Sequence, residues 1–508
     1  MGQHMPHGGF LLVYARRRLQ SGGGNLPPDV LAAAKGGACR GRTIEEAGLH
    51  HRTRTGSAGA HRTGGTGAGP VKTLLFAACW AWACAPDIPT DPVPAVAEFD
   101  PSASPPRVSE PSLTVINPVS GRIDLGLAGI VVPPDCADPT VTARAACEFN
   151  QYLQSLDGFP TIYPAKTPLS EAPDPATLVP TNIAVVDGRS GLPLAGAAVG
   201  FDPGARALTV VPAGGSWPVG AFVWIGVRGY EAGIRAADRR QVVASPVFHL
   251  LRQEQSLLCG ATAPAEIPPT CPFFALLAQQ MPPAQVGMSL FQLEVLRRTM
   301  VALQAWEVMA AAGGLARPDL VILWGFPVHS APVIELLPAA GKRPTLIGPQ
   351  QVALAVNGLL DPATVTAFSP GMPGTVYLVN TTALAQGDLA GGFPAVTAAY
   401  ANGQIVITSA APLVPGAVYA IAVTQGVKNP AGVPLVPPPI SVLLKSQGAL
   451  VDAAGKSTVP SVPDAEAAAL ELGRRQLAAV LDDMAFRTST GITRDQLAYL
   501  YASTLEGP

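Results

Sequence analysis

Net charge is nearly absent from this chain of 508 residues: 33 basic and 35 acidic side chains leave a formal charge of −2. A nucleic-acid surface needs a clustered positive field, so that class of partner is set aside. No apolar run reaches the ~18 residues of a membrane-crossing helix. No C-x-x-C pair occurs, and beyond residue 70 only His249 and His329 remain, so the usual zinc ligand sets are missing. A G-x-S-x-G nucleophile elbow is also missing, because Gly188-Arg189-Ser190-Gly191 lacks the spacing. No Gly-rich phosphate loop is found. No cofactor is expected.

What is present begins with an address. Val71-Lys72-Thr73 is a short positive start, Leu74 to Cys84 an apolar stretch, and Ala81-Trp82-Ala83 an A-x-A cleavage pattern. The ending Ala81-Trp82-Ala83-Cys84 resembles a bacterial lipobox, which implies lipidation of Cys84 and a membrane contact through that anchor. The plain alternatives are secretion without an anchor and a buried apolar strand. Residues 1–70 fit neither a signal nor a fold. They are rich in Gly, Arg and His and bury too little to offset their ordering entropy, so they read as a disordered extension. An over-called start, with translation beginning at Val71, accounts for them. Beyond residue 72 there are 23 basic and 32 acidic residues, a net charge of about −9, again unlike a nucleic-acid binder.

Pro and Gly number 53 each. With many short Val/Ile/Ala-rich runs, this composition points to mainly β modules with frequent turns, about two to three in number. Four cysteines follow Cys84, in two local pairs: Cys136 with Cys147 and Cys259 with Cys271. Short loops close cheaply and an exported protein meets an oxidising compartment, so two local disulfides are expected over four buried thiols.

In chain order, residues 85–108 read as a Pro-rich tether and 109–330 as a first module. Its strand candidates are Leu113–Ile116, Ile183–Val186, Ala198–Phe201, Ala207–Val211, Ala221–Val227 and Gln241–Phe248. Thr142–Leu156 reads as a helix, and Leu290–Ala312 as a longer one, with a Ser289/Gln292 capping box and a Gly313-Gly314 stop. Leu320–Trp324 is a strand. A second module spans 342–508. Asn402-Gly403 marks a hairpin between Ala395–Tyr400 and Gln404–Thr408. Further strands are Val376–Val379, Val418–Thr424 and Ile440–Leu444, followed by a helix over Asp464–Phe486.

The modules repeat one another. Glu294, Arg297, Arg298, Arg317 and Leu320 recur as Glu471, Arg474, Arg475, Arg494 and Leu497, each 177 residues later. Gly220-Ala221 recurs as Gly416-Ala417 at an offset of 196, so the connection before the helix is shorter in the second copy.

Pro412-Leu413, Pro415-Gly416, Tyr419, Gly426-Val427-Lys428-Asn429 and Gly432-Val433-Pro434-Leu435 together resemble the closing hairpin of bacterial Ig-like domains of the S-layer-protein type. The larger arrangement resembles the N-terminal region of bacterial virulence-factor lipases, where an Ig-like unit precedes helices and a strand. The resemblance implies tandem Ig-like β-sandwiches, each followed by a helical segment and a closing strand, with Tyr419 on an inner face and Gly426 and Gly432 in turns. The catalytic domain of that family has no counterpart here.

Few side chains promise chemistry. His329-Ser330 is a loop adjacency, Asp482-Asp483 a solvated helix face, and Asp135, Asp138 and Asp187 lack the calcium-loop pattern. The Arg297/Arg298 and Arg474/Arg475 pairs are expected to face acidic groups across each module. The favoured reading is a non-enzymatic cell-envelope lipoprotein, outer-membrane-anchored or extracellular, that binds an unknown protein or surface polymer or acts as a spacer. The alternative is the accessory N-terminal part of a secreted lipase- or esterase-type hydrolase.

Overall fold

The same strand order occurs twice along the chain. The computed structural model describes residues 93–101, 103, 106–335, 345–348, 350–482 and 490–504, which belong to one compact unit. The 1–70 extension, the export stretch with Cys84 and the first part of the tether lie outside the described residues, as does Asp483.

The first half opens with β1 (Ala95–Ala97) and helix α1 (Arg144–Ser155). Strands β2 (Ala165–Pro168), β3 (Ile183–Asp187), β4 (Leu192–Pro193), β5 (Ala198–Asp202), β6 (Ala207–Val211), β7 (Phe222–Arg228) and β8 (Val242–Ala244) follow. Then come helices α2 (Pro246–Leu251), α3 (Pro272–Leu277), α4 (Pro283–Ala302) and α5 (Ala305–Gly313), and β9 (Leu320–Pro327) closes the half. The second half runs through β10 (Val333–Ile334), β11 (Thr345–Gly348), β12 (Gln351–Asn357), β13 (Val376–Asn380), α6 (Thr381–Ala385) and α7 (Leu389–Gly392). It ends with β14 (Val396–Ala401), β15 (Gln404–Ser409), β16 (Val418–Thr424), α8 (Pro439–Leu444), α9 (Asp464–Leu481) and β17 (Leu497–Thr504).

In the first half β2-β6-β5 form one sheet and β4-β3-β7-β9 the other; in the second, β10-β12-β15-β14, with β11 also on β12, and β13-β16-β17 form the two sheets, so β2-β6-β5 and β3-β7-β9 recur as β12-β15-β14 and β13-β16-β17. All of these pairings are antiparallel. The correspondence reaches detail. The ladder to the closing strand slips between Val227 and Arg228 in β7 and between Val423 and Thr424 in β16, at the offset of 196 seen in the sequence. Asp174-Pro175-Ala176-Thr177 and Asp361-Pro362-Ala363-Thr364 each make a 3-10 turn between one sheet and the next, with the aspartate capping it.

The expectation of a mainly β protein is corrected to mixed α and β, because helices pack against the sheets. Helix α5 lies so close to β7 that a Cβ on Gly226 would stand 2.8 Å from the Met309 sulfur, and one on Gly313 would stand 2.9 Å from Ala184 Cβ. Leu477 and Leu481 of α9, with Ile440 and Leu444 of α8, join the core of β13, β16 and β17. Strands covered on both faces lose the in–out alternation, and β9 is buried at every position.

Other expectations change too. Leu113–Val115 is a 3-10 turn, not a strand, with Ser112 as its cap. Only Val242–Ala244 of the Gln241–Phe248 run is extended; Ser245 then caps α2 by accepting the Phe248 N–H, and Pro246 takes the first helical turn. Ile440–Leu444 is helical, and all six residues of α8 are buried: a short apolar run carries no period that separates strand from helix. The single helix over 290–312 is two, broken where Gln304 takes a φ of 52°. It begins at Pro283, so Ser289 and Gln292 lie within it rather than at a cap. Gly314, at φ 66°, ends α5. Residues 95–99 are not tether: β1 runs parallel to β8, and Ala97 and Phe99 are buried.

The Asn402-Gly403 hairpin forms as its dipeptide dictates, with φ of 51° and 74°. Tyr419 is buried, and its hydroxyl accepts the Val414 N–H at 3.0 Å. Gly432 has a φ of 80°, whereas Gly426 is needed for space: a Cβ there would lie 2.9 Å from Thr375 Cγ2.

Candidate functional site

A cleft of about 580 Å³ lies where the two halves meet. Helix α1 supplies one wall and the end of α8 the other, with Arg494-Asp495 and the Pro434–Pro437 strap completing it. Helix α1 buries Cys147, Phe149, Tyr152 and Leu153, and turns Arg144, Glu148 and Gln151 toward its partner.

The contacts across the cleft are specific. The Tyr152 hydroxyl donates to the Pro437 carbonyl at 2.8 Å. Glu148 accepts from Arg144 Nε at 2.8 Å, from Ser446 Oγ at 2.6 Å and from the Gln447 N–H at 3.1 Å. Arg144 also donates to the Gln447 side-chain oxygen. Gly448 packs so tightly on α1 that a Cβ would meet Ala145 N at 2.4 Å. Lys445 Nζ donates to the Leu497 carbonyl at 2.6 Å; burial pulls its pKa down to about 8, against the opposite pull of Asp495 and Glu148. Arg494 donates to the Lys445 carbonyl at 3.0 Å and to Asp482 at 2.7 Å. The cations and carboxylates of this cleft therefore serve one another and the backbone. The site joins the halves and has a polar, charge-balanced opening.

The two repeated Glu-Arg-Arg sets are structural clamps. Glu294, 1% exposed, accepts from Arg297 Nε and Nη2, from Arg298 Nε and from the Leu257 N–H, all within 3.0 Å. Glu471 accepts the same four bonds from Arg474, Arg475 and the Leu450 N–H. The arginines thus face an acid on their own helix, three and four residues back, rather than one across the module. Burial alone would raise the Glu294 carboxyl, but these hydrogen bonds hold it at about 2. At Glu471 the Arg474 bonds dominate and the value is again about 2. Arg317 and Arg494 each bond the carbonyls at the end of the preceding short helix, at Arg252 and Lys445.

The other candidates from the sequence are occupied as follows. Cys136 and Cys147 stand at bonding distance on the rim of the cleft, and Cys259 and Cys271 do so before α3. Asp135, Asp138 and Asp187 spend oxygens on local N–H groups at Ala137, Thr140 and Arg189, and no three metal-binding side chains cluster among the described residues. Ser330 bonds Asp157 through both its N–H and its hydroxyl and is not paired with His329. His329 is 1% exposed, and burial lowers its pKa to about 4, so its ring is neutral.

Sequence reasoning missed Glu148, Lys445 and Tyr152. A signal for one of them existed: Ser245-Pro246-Val247-Phe248-His249-Leu250-Leu251-Arg252 aligns with Pro438-Pro439-Ile440-Ser441-Val442-Leu443-Leu444-Lys445 at an offset of 193. That alignment places Lys445 at the helix end held by Arg252 in the first copy. Nothing local marks Glu148, whose partners lie about 300 residues away.

No family model and no curated protein matches this chain. Among solved structures, the N-terminal part of the bacterial S-layer protein SbsC is 11% identical over 32% of this chain and 29% of its own, with a TM-score of 0.15. The same protein's domains 1-6 are 12% identical over 37% of this chain and 20% of theirs, with a TM-score of 0.16. The chain thus spans less than a third of either protein, and a likeness this limited assigns neither function nor partner.

Proposed function

We propose that this chain is a non-enzymatic cell-envelope protein in which two Ig-like sandwiches are locked into one stiff body, anchored by a lipid on Cys84 and serving as a surface-displayed spacer or binding module. The sheets support the Ig-like part. In the second half, β10-β12-β15-β14 and β13-β16-β17 follow the A-B-E-D and C-F-G order of a constant-type immunoglobulin sandwich, and the Tyr419–Val414 bond matches its tyrosine corner. The first half has a β4 strand beside β3 and lacks that tyrosine.

The observation that carries the reading is how α1 is fixed on α8. Glu148 spans the junction with bonds to Ser446 and Gln447, Tyr152 bonds Pro437, and Val442, Leu443, Leu450 and Val459 of the second half enter the core of the first. A junction built this way transmits position and does not hinge. Small-angle scattering on the purified protein and on a Glu148→Ala/Tyr152→Phe variant tests the stiffness. The wild type should fit one rigid body and the variant should broaden; equal profiles that need several conformers would reject it. Metabolic labelling with a fatty acid, lost in Cys84→Ser, tests the anchor. Turnover of a short-chain ester by the purified chain, above a heat-killed control, would instead favour the hydrolase reading.

A further inference from the structure

Strand β14 is the outer strand of its sheet and pairs only with β15 among the described residues. Folded proteins usually guard such an edge with lysine, proline, a bulge or shortness. Here none of these is present. Val396-Thr397-Ala398-Ala399-Tyr400-Ala401 carries no charge and no proline, and its register on β15 runs without a slip from Val396 to Ala401. The comparable edge in the first half, β5, is guarded by Asp202, which holds Lys166 Nζ at 3.2 Å.

The ladder fixes which backbone groups are free. The Ala410 N–H donates to the Ala395 carbonyl directly opposite, so Ala395, Thr397, Ala399 and Ala401 spend their polar groups on β15. The N–H and C=O of Val396, Ala398 and Tyr400 therefore point out of the sheet. The side chains alternate to match. Val396, Ala398 and Tyr400 pack at the margin of the core, whereas Thr397, Ala399 and Ala401 are exposed.

We propose that β14 pairs with β14 of a second copy of this chain, antiparallel about a two-fold axis through Ala398. That register sets Val396 opposite Tyr400 on both sides, an apolar–aromatic pair on the core face. Thr397 meets Ala399 on the solvent face, and the smallest side chain of the inner row lies on the axis. About six backbone hydrogen bonds form, from residues that donate none of theirs to β15. The partner is a second copy because the segment is self-complementary: with no charge in it, nothing repels its own image. The proposal is independent of the envelope reading above.

Sedimentation velocity on the full chain, from low to high micromolar concentration, tests it. The wild type should pass reversibly from monomer to dimer. Ala398→Pro removes an N–H that β15 does not use, so the fold should survive while association weakens about tenfold or more. Thr397→Lys with Ala399→Lys sets ammonium groups against one another on the exposed face and should leave a monomer at every concentration, with an unchanged circular dichroism spectrum. This second variant decides the matter if the proline variant fails to fold. A wild type that stays monomeric, or a dimer that survives the lysine variant, overturns the proposal. So does a monomer that takes up an unrelated strand peptide along β14.

Discussion

Replacing Glu294 by Ala should destabilise the first half by about 3–5 kcal/mol, the usual result of removing one partner from a buried, hydrogen-bonded ion pair. The geometry sets that size. The Glu294 side chain is 2% exposed and that of Arg297 10%, so water cannot replace what is lost, and the Leu257 N–H is orphaned as well. Arg298, with 65% of its side chain exposed, adds no more than about 1 kcal/mol. The same bonds hold the carboxyl at about 2 instead of 4.5, so it is the ionised form that they stabilise. The assay exploits where the fluorophores lie. In a chain that starts after Cys84, and so lacks Trp80 and Trp82, the tryptophans are Trp217, Trp224, Trp306 and Trp324, all in the first half. Urea unfolding followed by tryptophan emission therefore reports that half, while far-ultraviolet circular dichroism reports both. Glu294→Ala should move the emission transition strongly, and Arg298→Ala hardly at all. Glu471→Ala should move the dichroism transition, and the emission transition too if the halves unfold together. A Glu294→Ala variant within about 1 kcal/mol of wild type would refute the clamp.

The remaining predictions concern pH, packing and crosslinks. Glu294 and Glu471 both have folded values depressed to about 2, so their stabilisation is complete above about 4.5 and is lost as pH falls toward 2; acid titration followed by tryptophan emission should unfold the chain across that window. Glu110 runs the other way. Burial raises it to about 7, partly offset by Lys166, so its folded form favours the proton and the chain loses stability as pH rises from about 4.5 to about 7. Glu110→Gln should stabilise the chain by about 1–3 kcal/mol at pH 8 and leave it unchanged at pH 4, read from thermal midpoints. Gly325→Ala would drive a methyl to within 2.4 Å of the Trp224 ring, and should cost about 1–3 kcal/mol and blue- or red-shift tryptophan emission; an unshifted spectrum with unchanged stability would contradict the packing. Removing Cys136–Cys147 by paired serines opens a loop with a sequence separation of 11 and should cost about 2–4 kcal/mol in the same urea assay.

Legibility in the sequence followed the range of the forces involved. Asn402-Gly403 announced its hairpin because the turn needs two residues with positive φ and nothing else. The Glu294/Glu471 sets were visible as a repeat, although their partners were misplaced: spacings of three and four put the acid on the same helix, one turn back. Ile440–Leu444 was opaque, since an element buried on every side has no polar face to reveal its period. The cleft was opaque for a different reason. Arg144 and Glu148 look like an ordinary surface pair, and only the fold brings Gln447 to them.

The seating of residues 442–467 in the earlier core has a kinetic side. Leu443, Leu450, Val462 and Ala467 pack among side chains such as Phe149, Leu153 and Trp306, which are made well before them. A polypeptide made N-terminus first would carry that vacancy until residues 442–467 had emerged. The early half would then wait, incomplete and sticky, for a plug synthesised later, and any chain released short of that plug would be left for proteases to clear.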